Sequence, residues 1–219
     1  GAGERARGPE AAAPTSHRPV LGHGAVASIV VIFLTSGAMF GANDVAVVAF
    51  ATELGQKSAA GAALAAWAAG SFLAALAYGS RSWGWPLWKQ LAAGALALAL
   101  GASTFAVAPN LAVLSALYAL TGLAIAPTIT SGNNIIQVTV APSQLTEGLA
   151  WVSTALNIGV SLGSLIAGRV LDASGSRGGY LLVAGFAWVG AAVTAGSLRV
   201  LRRARARSRV PLEGRPDQR

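Results

Sequence analysis

Cysteine is absent from the 219 residues, methionine occurs once, and only 11% of the chain is charged. Without cysteine there are no disulfides, thiolate metal sites or cysteine nucleophiles. A soluble domain carries about 25% charged residues, so this chain has too little polar surface to cover a water-facing globule of its size. Hydrophobic residues make up 54% and the mean hydropathy is +0.58; the sequence reads as an integral membrane protein. Histidine is scarce as well, and both copies, His17 and His23, stand at or before the first long apolar run. A rhomboid-like protease needs Ser and His within the membrane and an intramembrane metalloprotease needs His ligands, which removes the enzyme reading. No metal or other cofactor is called for. A G-x-x-x-x-G-K-[ST] phosphate loop is missing, which excludes an ATP-driven exporter, and no glycine-aromatic filter loop marks a channel.

What is present is a series of apolar spans. An all-α bundle of six transmembrane helices is expected at about 24–51, 59–78, 91–108, 111–140, 148–168 and 179–198. Residues 1–23 read as a polar, flexible cytoplasmic linker with no signal-type apolar core. Residues 199–219 read as a basic cytoplasmic tail. Because the first residue is Gly1 rather than Met, the chain is taken as a piece of a longer protein. Trp83, Trp85 and Trp88 mark the loop 80–90 as a membrane interface. A second loop is expected from Arg169 to Gly178. Pro127 removes a backbone hydrogen bond and predicts a kink in the fourth span, with Gly132 loosening it further.

Loop charges set the orientation. With both ends inside, thirteen of the sixteen Lys and Arg lie on the cytoplasmic side, leaving only Lys57, Arg169 and Arg177 outside. The net charge of +8 does not signal nucleic acid, because the run Arg202-Arg203-Ala204-Arg205-Ala206-Arg207 lacks aromatic interleaving and a fold of its own. It reads as a topology signal held to anionic lipid headgroups.

Asp44 is the only acidic residue inside an apolar run. A charge at the centre of a membrane helix costs about 2.5–3.5 kcal/mol on insertion scales, and intramembrane acids are functional by default. Asp44 is therefore the proton-coupling candidate; the competing reading is a carboxylate lying shallow, near the outer headgroups. Gly37 and Gly41 share its helical face, so an open groove is expected there with the carboxylate at its end. Asn133, Asn134 and Gln137 form a polar cluster in the fourth span, either lining a substrate path or joining helices. In the fifth span Thr154, Asn157, Ser161, Ser164 and Gly168 make a small and polar stripe; packing is the preferred role, with Asn157 the best candidate for substrate contact. Gly159 and Gly163 read as packing residues. Trp67 is weighed as a cavity aromatic against an interfacial anchor. Glu147 reads as a charge favouring a helix N-terminus.

Leu34-Thr35 recurs as Leu120-Thr121, and Gly70, Ala74 and Gly79 recur as Gly159, Gly163 and Gly168. Three spans per copy invert the second copy, giving a 3+3 inverted repeat of the kind found in secondary transporters.

Beyond these patterns, the chain resembles the major facilitator superfamily, specifically its C-terminal six-helix half. The likeness covers about residues 20–200. It is carried by Phe40-Gly41-Ala42-Asn43-Asp44-Val45, Ala66-Trp67-Ala68-Ala69-Gly70-Ser71, Tyr78-Gly79-Ser80-Arg81, Ala126-Pro127-Thr128, Leu145 to Thr154, and Gly159 to Gly168 with Asp172 and Gly175. Together they look like bacterial proton-coupled efflux permeases of the drug or sugar exporter type. The resemblance implies a missing N-terminal six-helix half, a small-molecule substrate, protons as coupling ion and a bacterial inner-membrane location. It implies that Asp44 stands where relatives often carry a carboxylate, here with Asn43 beside it on the substrate path. Arg81 falls in a loop that helps latch the cytoplasmic side in that family, although its usual acidic partner is absent. The alternative is a free-standing six-helix membrane protein with a structural role, or a dimerising half-transporter.

Overall fold

The computed structural model describes residues 20–22, 24–81 and 83–207, and all regular structure among them is helical. After a 3-10 turn, Val20–Gly22, come α1 (Gly24–Glu53), a second short turn (Lys57–Ala59), α2 (Ala60–Gly79) and α3 (Leu87–Phe105). Then follow α4 (Leu111–Gly122), α5 (Ile125–Thr139), a 3-10 turn at Pro142–Gln144 and α6 (Leu145–Arg207). Four stretches are long and apolar enough to cross a membrane: Gly24–Glu53, Lys57–Gly79, Leu111–Thr139 and Pro142–Arg202.

Two expectations need correction. Trp88, Lys89 and Gln90 are not loop residues; they form the first turn of α3 behind Pro86, which suits a residue fixed at φ −65° just before a helix. Their polarity explains why α3 is not among the four long apolar stretches. The expected loop from Arg169 to Gly178 shrinks to a single residue, Gly175, whose φ of 65° and ψ of −170° break α6 in a region open almost only to glycine. The basic tail is helical as far as Arg207. The linker 1–19, with His23 and residues 208–219, lies outside the described residues.

The kink expected from Pro127 falls just upstream of it, at the turn residues Leu123 and Ala124, whose φ/ψ stay helical. Pro127 has no N–H for the Leu123 carbonyl and its ring would collide with it. The chain answers with tight turns, Leu123 N–H to Leu120 O at 3.3 Å and Ala124 N–H to Thr121 O at 3.0 Å, and α5 then starts at Ile125.

As one straight rod, α6 would be about 95 Å long, three times a hydrocarbon core. It folds back instead. Along α1, Gly24, Thr35 and Ala46 meet Val200, Gly190 and Gly179 in turn, so the second arm (176–207) runs antiparallel to α1. Gly37 and Gly41 meet Leu156 and Val160, while Gly159 and Gly163 meet Leu34 and Ala38, so the first arm (145–174) runs parallel to it. Glu53, the last residue of α1, fixes the turn: its carboxylate accepts from the Ser176 N–H at 2.8 Å and from the Ser176 hydroxyl.

The α1 glycines do not leave an open groove. A Cβ on Gly37 would lie 2.1 Å from the Leu156 carbonyl oxygen, and one on Gly41 2.0 Å from that of Val160. The first arm of α6 fills the groove with backbone, and Ser164 donates to the Gly41 carbonyl at 3.0 Å. Gly159 and Gly163 pack as expected. The same contact pattern joins α2 to α4, where Gly70 meets the Ala119 carbonyl and Gly122 that of Trp67.

The interior divides into two apolar clusters. One gathers Val26, Ile29, Leu91, Ile136, Val140 and Leu201, with Leu145 and Trp88 against it, so both ends of the bundle chain and the turns before α3 and α6 sit together. The other surrounds Met39, Ala46, Trp67, Phe105, Tyr118 and Tyr180. Asn43 and Asp44 stand at the level of this second cluster.

Candidate functional site

Neighbouring residues on a helix point about 100° apart, and Asn43 and Asp44 divide accordingly. Asn43 is 2% exposed; its Oδ1 accepts a 2.6 Å hydrogen bond from Tyr118 Oη of α4. Tyr118 Oη lies 3.3 Å from Tyr180 Oη on the second arm of α6. Both tyrosines are fully buried, so this small polar knot ties three elements inside an otherwise apolar core. Rings pack around it edge to face: Trp67 on Tyr118 at 4.7 Å and Phe105 on Tyr118 at 4.7 Å between centroids. Such geometry suits aromatic quadrupoles and holds each ring at a fixed tilt.

Asp44 points about 100° away from Asn43. It is exposed and stands on the rim of a cleft of about 330 Å³ between α1 and α2, closed at one side by Ile125. Phe40, Asn43 and Asp44 come from α1; Leu64, Trp67 and Ser71 come from α2. Among the described residues Asp44 makes no hydrogen bond or ion pair. Helices α1, α2, α4 and α5 contain no Lys, Arg or His at all. Asp44 lies 20 residues into a 30-residue helix. Centred on a bilayer, that places it about 7 Å inside the hydrocarbon boundary, deeper than the headgroups yet off the midplane.

The cleft unites three of the residues singled out from sequence, Asp44, Asn43 and Trp67. Asn43 is mostly a core residue, with one edge on the cleft, and Trp67, 8% exposed, forms part of the cleft wall. The others lie apart from it. Asn133 and Asn134 are half-buried and Gln137 is exposed on α5, beside the first cluster through Ile135 and Ile136. Asn157 is exposed, its Nδ2 bonded at 2.8 Å to the Ser153 carbonyl of its own helix. Arg81 is exposed in the turn after α2 and has no partner among the described residues. Glu147 falls in the first turn of α6, where a carboxylate suits the positive helix end.

Tyr118, Tyr180 and Ser71 were not singled out. The tyrosines carried a usable signal: a phenol inside an apolar span must find a partner for its hydroxyl, and Asn43 is an amide within such a span. A further network, Tyr78 to Gln90 Oε1 with Ser131 at 3.3 Å, joins α2, α3 and α5 near the other end.

No curated protein sequence matches the chain. A family model described as Major Facilitator Superfamily matches residues 26–217, far more than half the length, and the helical, membrane-length architecture agrees with it. The chain belongs to the Major Facilitator Superfamily and is a membrane transporter.

Proposed function

We propose that the chain is one six-helix half of a proton-coupled secondary transporter that exports small molecules across a bacterial cell membrane, both of its ends being cytoplasmic. The single observation that carries this reading is the Asp44 carboxylate: inside a helix long and apolar enough to cross a membrane, at a cleft, with no counter-ion among the described residues. Such a group is stabilised by taking up a proton when its surroundings dry and by releasing it when they are wetted. Alternation between the two couples proton movement to a change of facing.

Counting α4 with α5 as one kinked pass and the arms of α6 as two gives six passes. Their contacts support an inverted repeat. Gly70 against Ala119 and Gly122 against Trp67 in α2 and α4 correspond to Gly159 against Leu34 and Gly37 against Leu156 in α6 and α1. Within each set the offsets are constant along the sequence, which chance similarity of small residues does not require. The orientation is supported by the gathering of both bundle ends and the Arg81 turn, with Lys89, Arg199 and Arg202, at one end. Arg81 serves there as the loop latch, and the tail beyond Arg199 holds anionic lipid. The exposed side chains of Asn157 and Gln137, with the half-buried Asn133 and Asn134, face the path shared with a partner half.

The test is transport in vesicles by the full-length protein under an imposed pH gradient. Asp44→Asn is expected to insert normally and to lose proton-driven transport. Full transport by that variant would reject the coupling scheme.

A further inference from the structure

Helix α3 and the second arm of α6 run side by side and antiparallel, and contacts at two levels fix their register. At one level Trp188 Nε1 donates to Ser103 Oγ at 3.0 Å. At the other, the Arg202 guanidinium lies 4.3 Å from the centre of the Trp88 ring, and the Lys89 ammonium lies 5.5 Å from that centre. Seven residues are close to two full turns. Leu96 therefore shares a face with Lys89 and Ser103, and Ala195 shares one with Trp188 and Arg202, which sets Leu96 across from Ala195. Leu96 and Trp188 are exposed, as are Ala192 and Ala195. A leucine wall beside two alanines leaves a shallow apolar trough on the outer surface. Its length from Lys89 to Ser103 is about 21 Å, more than one leaflet of a hydrocarbon core about 30 Å thick.

The head of this trough carries positive charge without a counter-charge. Lys89 and Arg202 gather on one indole, no farther apart than the two distances together, about 10 Å, and so repel each other. Exposed Arg199 stands one turn from Arg202 and adds to the same field. Neither Lys89 nor Arg202 has a side-chain hydrogen bond or ion pair among the described residues, and Glu147, the described carboxylate at this end of the bundle, pairs with neither. An anion between the two cations removes their repulsion, and the guanidinium fork matches the oxygens of a phosphate. Exposed Trp83 and Trp85 set this end at headgroup depth, where lipid phosphodiesters stand. The apolar trough that leads away from the cations selects a lipid over a free anion. We infer that this seam binds one anionic phospholipid, its phosphodiester between Lys89 and Arg202 and one acyl chain laid along Leu96, Ala195 and Ala192 towards Trp188. The inference rests on the membrane placement proposed above and deepens its lipid reading, from a diffuse attraction of the tail to a single built site.

The test is lipid retention by the full-length protein, counted by native mass spectrometry from micelles holding equal amounts of phosphatidylglycerol and phosphatidylcholine with identical chains. Wild type should retain one phosphatidylglycerol with a preference of at least about tenfold. Lys89→Gln and Arg202→Gln should each lower that preference about fivefold, and Lys89→Arg should keep it. Ala195→Leu fills the trough without touching a charge and should weaken retention at least about threefold. Neutralising Arg203, Arg205, Arg207 and Arg209 together should leave the preference in place. Monodisperse elution and an unchanged helical circular dichroism signal certify that each variant is folded. Equal retention of the two lipids overturns the site. So does full retention by Ala195→Leu, or displacement of the lipid by inorganic phosphate, since either reduces the ligand to a headgroup. A preference lost with the tail arginines and kept in Lys89→Gln would overturn this site and leave the tail's hold on lipid standing. Retention through Lys89 and Arg202 with no further lipid dependent on the tail would do the reverse.

Discussion

Replacing Gly41 by alanine tests the packing that holds the site's helix in place. The added Cβ would lie 2.0 Å from the Val160 carbonyl oxygen and 2.8 Å from Ser164 Oγ. The nearest obstacle is backbone and cannot rotate aside, so α1 and the first arm of α6 must part by more than about 1 Å. Overpacking of this kind costs about 1–3 kcal/mol. The separation also stretches the 3.0 Å hydrogen bond from Ser164 to the Gly41 carbonyl, which contributes about 0.6 kcal/mol on the average for membrane helices. Alanine improves helix propensity at the same time, so a control must carry that gain alone. Gly185 provides it: a Cβ there meets nothing within 4 Å. The expected difference between Gly41→Ala and Gly185→Ala is about 2–4 kcal/mol, read by unfolding in mixed micelles with increasing dodecyl sulfate. If the two variants unfold at the same detergent fraction, close backbone contact is not what fixes α1.

The remaining predictions concern the polar ties. Tyr118→Phe leaves the Asn43 oxygen without its donor in a ring-lined core and should destabilise by about 1–3 kcal/mol; a double-mutant cycle with Asn43→Ala should return a coupling of at least about 0.5 kcal/mol in the same unfolding assay. Gly175→Ala forces alanine into φ 65° and sets its Cβ 3.1 Å from Glu53 Oε1. It should cost about 1–3 kcal/mol, while Glu53→Ala, which removes both acceptors from Ser176, should cost about 0.5–2 kcal/mol. Protease sensitivity at the fold-back turn checks both.

The apolar runs made the helices legible because membrane length is a matter of counting residues. The turns were less so. Residues 169–178 look like a loop by composition, with Arg169, Asp172, Ser174, Ser176 and Arg177 among them, but Glu53 from a distant helix end caps Ser176 and allows a one-residue reversal. Pro127 announced its kink but not its position, since the collision falls on the carbonyl four residues earlier. At the site, Asp44 was legible from its cost in lipid. The glycines beside it were read correctly as a smooth face and wrongly as an open one, because a sequence does not say which helix fills a groove. Asn43 was legible as an amide within an apolar span, but its bond to Tyr118, 75 residues away, was not.

The restraints on α1 bear on how the site could change its facing. The first arm of α6 lies against the Gly37–Gly41 face with backbone contact, the second arm runs along another side, and Asn43 is bonded across to α4. The side bearing Asp44 meets α2 across the cleft, with Phe40 edge-on to Trp67. Turning α1 about its own axis by one residue, about 100°, would drive Asp44 into the aromatic cluster, break the Asn43–Tyr118 bond and push side chains into the Val160 and Leu156 carbonyls. Each of these is costly, and they would arise together. Rotation of α1 about its own axis is therefore opposed at once by backbone contact with the first arm of α6 and by the Asn43–Tyr118 bond.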